Sequence, residues 1–252
     1  MKILLLDIET SPNKVYAWGL WNVNVALNQV EEFGYTLCWA AQWYGEKEIM
    51  FSSLHKDGKK KMLKQVHSLL DEADAVVHYY GKKFDIPRLN QEFLGAGMLP
   101  PSPTIQIDLC TVVKSRFKLA SNKLDYVSKY LGYKGKVEHK GMSLWTDCMA
   151  GIPAAWKKME EYNKGDIKCL AWIYPILLPW IKNHPNYGLF VDSDRPVCPN
   201  CGSVHVVKRG VYKPPSGTLT YQRYRCSDCG TWSKERYSNM PKEQRKHVLK
   251  GV

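Results

Sequence analysis

No apolar run in the 252-residue sequence approaches the ~18 residues that a membrane-spanning helix needs, which argues against a helical membrane protein. The first residues, Met1-Lys2-Ile3-Leu4-Leu5-Leu6-Asp7, turn acidic after four apolar positions and lack a small-residue cleavage site. A secretory leader is therefore not expected, and the expected location is cytoplasmic. Internal repeats and low-complexity tracts are also missing, which excludes solenoids and disordered linkers as the main architecture. Histidine and cysteine do not cluster anywhere in the first 190 residues, so a zinc site is not expected there. Negative charge is the scarce sign: 24 Asp and Glu face 36 Lys and Arg, a net of +12.

What is present fits a globular chain, with 44% hydrophobic and 24% charged residues, long enough for one well-buried domain and a small annex. The positive excess is unevenly placed. Residues 193–252 hold 12 basic and 4 acidic side chains, a net of +8, which leaves +4 on the first 192. Such a basic module suits a polyanionic partner, with nucleic acid ahead of a membrane surface, although simple solubility is the plainer explanation. The eight cysteines divide in the same way. Cys38, Cys110, Cys148 and Cys169 sit singly among apolar residues, as buried thiols do. Cys198, Cys201, Cys226 and Cys229 form two C-x-x-C knuckles.

The periodicity predicts a strand over Lys2–Ile8 whose unbroken apolar core suits a central position, then strand material in Val15–Trp21, Tyr35–Tyr44 and Glu48–Ser52. A helix over Gly58–Ala73, a strand over Ala75–Tyr80, a helix over Phe84–Gly97 and a short strand at Ile105–Leu109 follow. Helical stretches are expected near Thr111–Lys118 and Lys123–Leu131, and from Pro153 to about Lys182, kinked or split by Pro175 and Pro179. The expected division is an α/β domain over 1–185, a linker over 186–197, a metal-bound module over 198–237 and a basic tail over 238–252.

Three acidic fragments stand out. Asp7 and Glu9 share one face of the first strand, roughly 7 Å apart at Cα, on an otherwise apolar segment. Two carboxylates there are costly without a cation between them, but a solvated strand end would also explain them. Asp85 opens a helix after a Gly-Lys-Lys-Phe turn and reads equally well as an N-cap. Tyr162 and Asp166 fall on one helix face if the helix runs through Gly165, or form an ordinary surface pair.

Taken together, D-x-E on the first strand, F-D after a later one and Y-x-x-x-D on a late helix resemble the DEDD exonucleases of the RNase H-like fold, in their tyrosine subclass. The resemblance spans roughly residues 1–182. Its middle segment, Tyr80-Gly81-Lys82-Lys83-Phe84-Asp85-Ile86-Pro87-Arg88-Leu89, is similar to the N-G-K-x-F-D-x-P-x-L of family B polymerase proofreading domains and of stand-alone, phage-type relatives. Tyr80 replaces the Asn of that pattern, a departure that bears on substrate choice more than on chemistry. The resemblance implies an RNase H-like mixed sheet flanked by helices and a 3′–5′ exonuclease using two Mg²⁺ or Mn²⁺ ions. It implies that Asp7 bridges both ions, that Glu9 and Asp166 bind the water-activating one, that Asp85 supports the other and that Tyr162 orients the water. Hard oxygen ligands and paired ions suit phosphodiester hydrolysis on general grounds as well. Asp108 reads as a supporting residue or cap, and His78 as a packed residue or a nucleotide contact. Lys82 and Lys83 read as phosphate contacts or a solvated turn.

The knuckles, each followed by Gly, resemble a zinc ribbon in which four thiolates hold one structural Zn²⁺, with strands expected at Val204–Lys208 and Thr218–Arg225 around a turn at 213–217. A pair of disulfides is the alternative reading. Arg209, Arg223, Arg225, Lys234 and Arg236 give the ribbon the charge to grip nucleic acid. The expectation is an exonuclease acting on DNA, single-stranded before duplex, in replication or repair, either free-standing or beside a separate polymerase or replication protein. An RNA-trimming enzyme and a catalytically inactive nucleic-acid-binding adaptor are the alternatives.

Overall fold

The structure, a computed structural model, describes residues 1–135, 141–215 and 217–250. Ser216, in the predicted ribbon turn, and the last two residues of the basic tail lie outside the described residues. Two compact units form: one is Lys2–Tyr174, and the other gathers Met1 with Pro175–Val252. Among the described residues no helix is long and apolar enough to cross a membrane.

In the first unit the chain runs β1 (Ile3–Thr10), β2 (Lys14–Val15), β3 (Val30–Glu32), β4 (Thr36–Trp43), β5 (Met50–Ser53), α1 (Leu54–Asp57), α2 (Lys59–Glu72), β6 (Ala75–His78), α3 (Asp85–Gly95) and β7 (Ile105–Asp108). It continues through α4 (Leu109–Arg116), α5 (Leu124–Tyr130), α6 (Ser143–Met149) and α7 (Pro153–Leu177). Five strands make a mixed sheet in the order β5-β4-β1-β6-β7. β1 pairs antiparallel with β4 and parallel with β6, so it is central, as its apolar run requires.

The two faces of β1 carry different chemistry. Leu4, Leu6 and Ile8 pack with Trp39 and with Met62, Val66 and Leu70 of α2 and Leu89 and Phe93 of α3. The alternate residues Asp7 and Glu9 face the other way, paired across the strands with the small side chains Ala40 and Cys38. Cys38 packs there with Leu144 and Cys148 of α6 and with Trp156 and Met159 of α7.

Two expectations need correction. The Val15–Trp21 stretch is not a strand beyond Val15: residues between β2 and β3 form a projecting loop in which Trp18, Leu20 and Trp21 are almost fully exposed. Strand propensity yields where no neighbouring strand is available to bury the side chains. Pro175 does not break the last helix, for α7 continues through it, and a 3₁₀ turn at Leu178–Trp180 takes up Pro179. Pro175 forfeits the one hydrogen bond its nitrogen would have given the Ala171 carbonyl, and the helix ends two residues later.

The second unit contains β8 (Val206–Tyr212), β9 (Tyr221–Cys226), β10 (Trp232–Lys234) and α8 (Lys242–Arg245). Its three strands form an antiparallel sheet in the order β10-β9-β8.

Tyr80, in the turn before α3, has φ +70°, in the left-handed region that a bulky side chain avoids. The carboxylate of Asp108 accepts its N–H at 3.0 Å and holds it there. Asparagine tolerates this region better, so Tyr80→Asn is expected to stabilise the protein by about 1 kcal/mol and raise its Tm by a few degrees. A thermal melt checks this, and a lowered Tm would mean that the tyrosine ring contributes more than the backbone loses.

Candidate functional site

β1 presents Asp7 and Glu9 at its carboxyl end, and α7 brings Asp166 against them: one oxygen from each of these three lies within 4.8 Å of the other two. α7 runs unbroken through the buried Gly165, so Tyr162 and Asp166 share its inner face. Asp85 joins from the first turn of α3, where its Oδ1 accepts the Ile8 N–H at 3.1 Å. The structure therefore brings all four carboxylates and Tyr162 to one place.

Electrostatics show how tightly they are grouped. Burial pushes the Asp7 carboxyl well above the usual carboxylate range, and the charges of Asp166, Asp85 and Glu9 push it in the same direction. Asp85 is raised to about 7, chiefly by burial, with the backbone N–H bonds opposing and Asp108 adding to the rise. Burial and then the neighbouring Asp166, Glu9 and Asp7 also hold the Tyr162 hydroxyl well above its ordinary value, so it keeps its proton at neutral pH.

Several residues that shape the site were not singled out in the sequence. Asn163, fully buried on α7, donates to Asp7 Oδ2 at 2.6 Å. Its side-chain oxygen points at the Cys38 thiol, 3.7 Å away. Trp145 of α6 donates Nε1–H to Glu9 Oε2 at 3.0 Å and meets the Tyr162 ring edge-on, with centroids 5.9 Å apart. An asparagine inside a helix, where it has poor propensity, was a usable signal for Asn163. α6 is only seven residues long and offers too little periodicity to locate Trp145. At Gly81 an added Cβ would lie 2.6 Å from the His78 ring and 2.9 Å from Asp85 Oδ2, so the turn that aims Asp85 admits no side chain there.

The softer candidates separate. His78 is packed, with Nε2 2.9 Å from the Gln106 amide oxygen, and burial lowers its pKa; the nucleotide-contact reading is not supported. Asp108 is a cap: its Oδ1 accepts from the N–H groups of Cys110 and Thr111 as well as Tyr80. Lys82 and Lys83 are exposed on the turn ahead of Asp85.

In the second unit the sulfurs of Cys198, Cys201, Cys226 and Cys229 all lie within 4.8 Å of one another, with Cys198 and Cys229 at 3.5 Å and Cys201 and Cys226 at 3.7 Å. A tetrahedral zinc with bonds of about 2.3 Å needs sulfurs about 3.8 Å apart, and a disulfide needs about 2 Å. The donor set therefore fits one zinc ion and rules out the disulfide alternative. Arg209 and Arg225 are exposed and Arg223 is half-buried on the sheet of this unit.

Residues 4–178 match the family model of the RNase H superfamily. The family B DNA polymerase of the hyperthermophilic archaeon Pyrobaculum calidifontis is similar in fold, with a TM-score of 0.54 at 16% identity over 71% of this chain and 24% of the polymerase. Trypanosoma brucei RNase D is similar at a TM-score of 0.45 and 16% identity, over 68% of this chain and 56% of that one. The chain thus spans about a quarter of the polymerase's length. No curated protein sequence matches it.

Two consequences can be measured. Because the folded pKa of Asp85 is raised, its protonated form favours the fold. That contribution is complete below the unfolded pKa near 4 and is lost as pH rises to about 7. The Tm of the Mg²⁺-free protein is expected to fall across this window, and adding Mg²⁺ is expected to flatten the fall. Cys226→Ser is expected to remove the zinc and loosen the second unit while the first still folds; metal analysis showing a full equivalent of zinc in that variant would refute the four-thiolate site.

Proposed function

The chain belongs to the RNase H superfamily, and from that premise we propose that it is a metal-dependent 3′–5′ exonuclease acting on nucleic-acid ends, with single-stranded DNA as preferred substrate. The observation that carries this reading is the convergence of Asp7, Glu9, Asp166 and Asp85 in a buried setting that leaves Asp7 surrounded by like charge. Such a set is costly to keep unless cations and a phosphate complete it. All four donors are hard oxygens, which suits Mg²⁺ or Mn²⁺. When bound, two such ions make a water nucleophilic near neutral pH and stabilise the departing oxyanion.

The residues divide the remaining work. Asp7, central among the four, would hold both ions, with Glu9 and Asp166 holding one and Asp85 supporting the other. Asn163 keeps the Asp7 carboxylate turned into the site by donating to one of its oxygens, and Trp145 does the same for Glu9. Tyr162 stays protonated and would position the attacking water by hydrogen bonding, since a hydroxyl with so high a pKa is a poor base. The basic second unit would contribute phosphate contacts through Arg209, Arg223 and Arg225, and binding would weaken steeply with salt.

The test is digestion of a 5′-labelled single strand of DNA beside an RNA twin. A ladder shortening from the 3′ end with Mg²⁺ or Mn²⁺, faster on DNA, is expected. A faster RNA ladder would make the enzyme an RNA trimmer, and salt-sensitive binding without cleavage would make it an adaptor. Asp7→Asn is expected to abolish cleavage and, by relieving the crowding, to raise the Tm of the Mg²⁺-free protein. Activity near that of the unaltered protein would refute the site.

A further inference from the structure

The three-stranded sheet of the second unit has two unlike faces. Along β9 the even residues Tyr224 and Cys226 are buried, which places Cys226 among the zinc-fitting sulfurs. The odd residues Tyr221, Arg223 and Arg225 face the other way. The register aligns Arg225 with Trp232 on one side and Val207 on the other, Arg223 with Lys234, and Tyr221 with Tyr212. One open face therefore carries three cations interleaved with three rings.

The side chains on it are ordered against one another. The Arg223 and Arg225 guanidinium groups lie 4.8 and 5.8 Å from the Trp232 ring centroid. Lys234 Nζ lies 3.9 Å from the Tyr221 ring and 5.2 Å from the Tyr212 ring. Arg223 Nε donates to the Arg209 carbonyl at 2.9 Å, across the irregular pairing where Gly210 takes φ +71°. Trp232 nevertheless remains 52% exposed.

Among the described residues no carboxylate neutralises this face. Glu235 bonds the Tyr224 hydroxyl of the opposite face, and Asp228 pairs with His205 at 3.2 Å. Among the described residues Arg223, Arg225 and Lys234 form no ion pair with a carboxylate.

We propose that this face binds unpaired nucleic acid, with a base stacked on Trp232 and the backbone phosphates taken by Arg223, Arg225 and Lys234. Uncompensated cations fit a polyanion, and their spacing among flat rings fits a ligand that alternates charge with exposed π faces. A duplex presents phosphates but keeps its bases stacked inside, so it would leave the tryptophan without a partner. The inference rests on the reading of the chain as a nucleic-acid enzyme and deepens it, because it assigns strand selection to Trp232.

The experiment uses the full zinc-loaded chain without added Mg²⁺, and measures by fluorescence anisotropy the binding of a labelled 20-nucleotide single strand and of its duplex. Trp232→Ala is expected to weaken single-strand binding roughly 5- to 100-fold, the range that base–aromatic stacking supports, and to change duplex binding little. Trp232→Leu, which keeps bulk on the strand, carries the same expectation, and Trp232→Phe is expected to restore most of the affinity. Arg225→Gln is expected to lower the salt dependence by about one phosphate contact on either form. Single-strand affinity unchanged in both Trp232→Ala and Trp232→Leu, or equal losses on the two forms, would overturn the proposal, as would tighter binding to an acidic peptide or anionic vesicles than to the single strand. Mg²⁺-dependent cleavage by the unaltered protein is scored separately. Cleavage with no Trp232 effect sinks only this inference, and a Trp232 effect without cleavage sinks only the exonuclease reading.

Discussion

Repulsion among four carboxylates at the end of β1 is the constraint that orders the first unit. Left to themselves, such groups would swing apart into solvent, and the site would be lost. Each is instead held by a separate device. Asn163 pins Asp7, Trp145 pins Glu9, the Ile8 N–H pins Asp85, and the continuous α7 carries Asp166. The apolar layers explain why these devices are rigid. Leu4, Leu6 and Ile8 lock one face of β1 onto α2 and α3, so the opposite face is free to carry charge without the strand moving. Carboxyl groups fixed in place, with their burial already incurred on folding, form a site organised before any cation arrives.

The candidate site residues were the easiest to find in the sequence. Asp7, Glu9, Asp85, Tyr162 and Asp166 sit at fixed offsets from strands and a helix whose periodicity is strong; each alone had an ordinary alternative, and only their conjunction marked them. The cysteine knuckles were legible for the same reason. Supporting residues were harder, because their function depends on contacts between positions far apart in the chain. Asn163 touches Asp7 across 156 positions; its place inside a helix marks it as unusual, but nothing local names its partner. Trp145 lies on a helix too short to show a period. The Val15–Trp21 stretch misled in the opposite sense: its strand-forming residues are exposed, and only tertiary pairing could reveal that.

The two units solve complementary problems. On the proposed function, an acidic site would repel the polyanion it acts on, with its own charges engaged in holding cations. Residues 193–252 carry +8 of the chain's net +12, a charge that would attract such a polyanion. A unit that small has little core of its own, so four thiolates around one ion replace the buried area it lacks. That leaves an entire face of its sheet available for side chains chosen by ligand and not by packing.

Asn163 has a consequence for how the protein ages and varies. Its amide differs from an acid by one group, and either a single base change in its codon or slow hydrolysis would turn it into aspartate. The donor that steadies Asp7 would then become a fifth carboxylate, in a place where three neighbours already drive a carboxyl toward protonation. Asparagine hydrolyses through a succinimide ring that the backbone nitrogen of the next residue, here Lys164, must close on the side-chain carbonyl with loss of ammonia, and a buried helical turn resists that closure. The packing that aims Asn163 at Asp7 thus also sets how long each copy of the molecule keeps its charge balance.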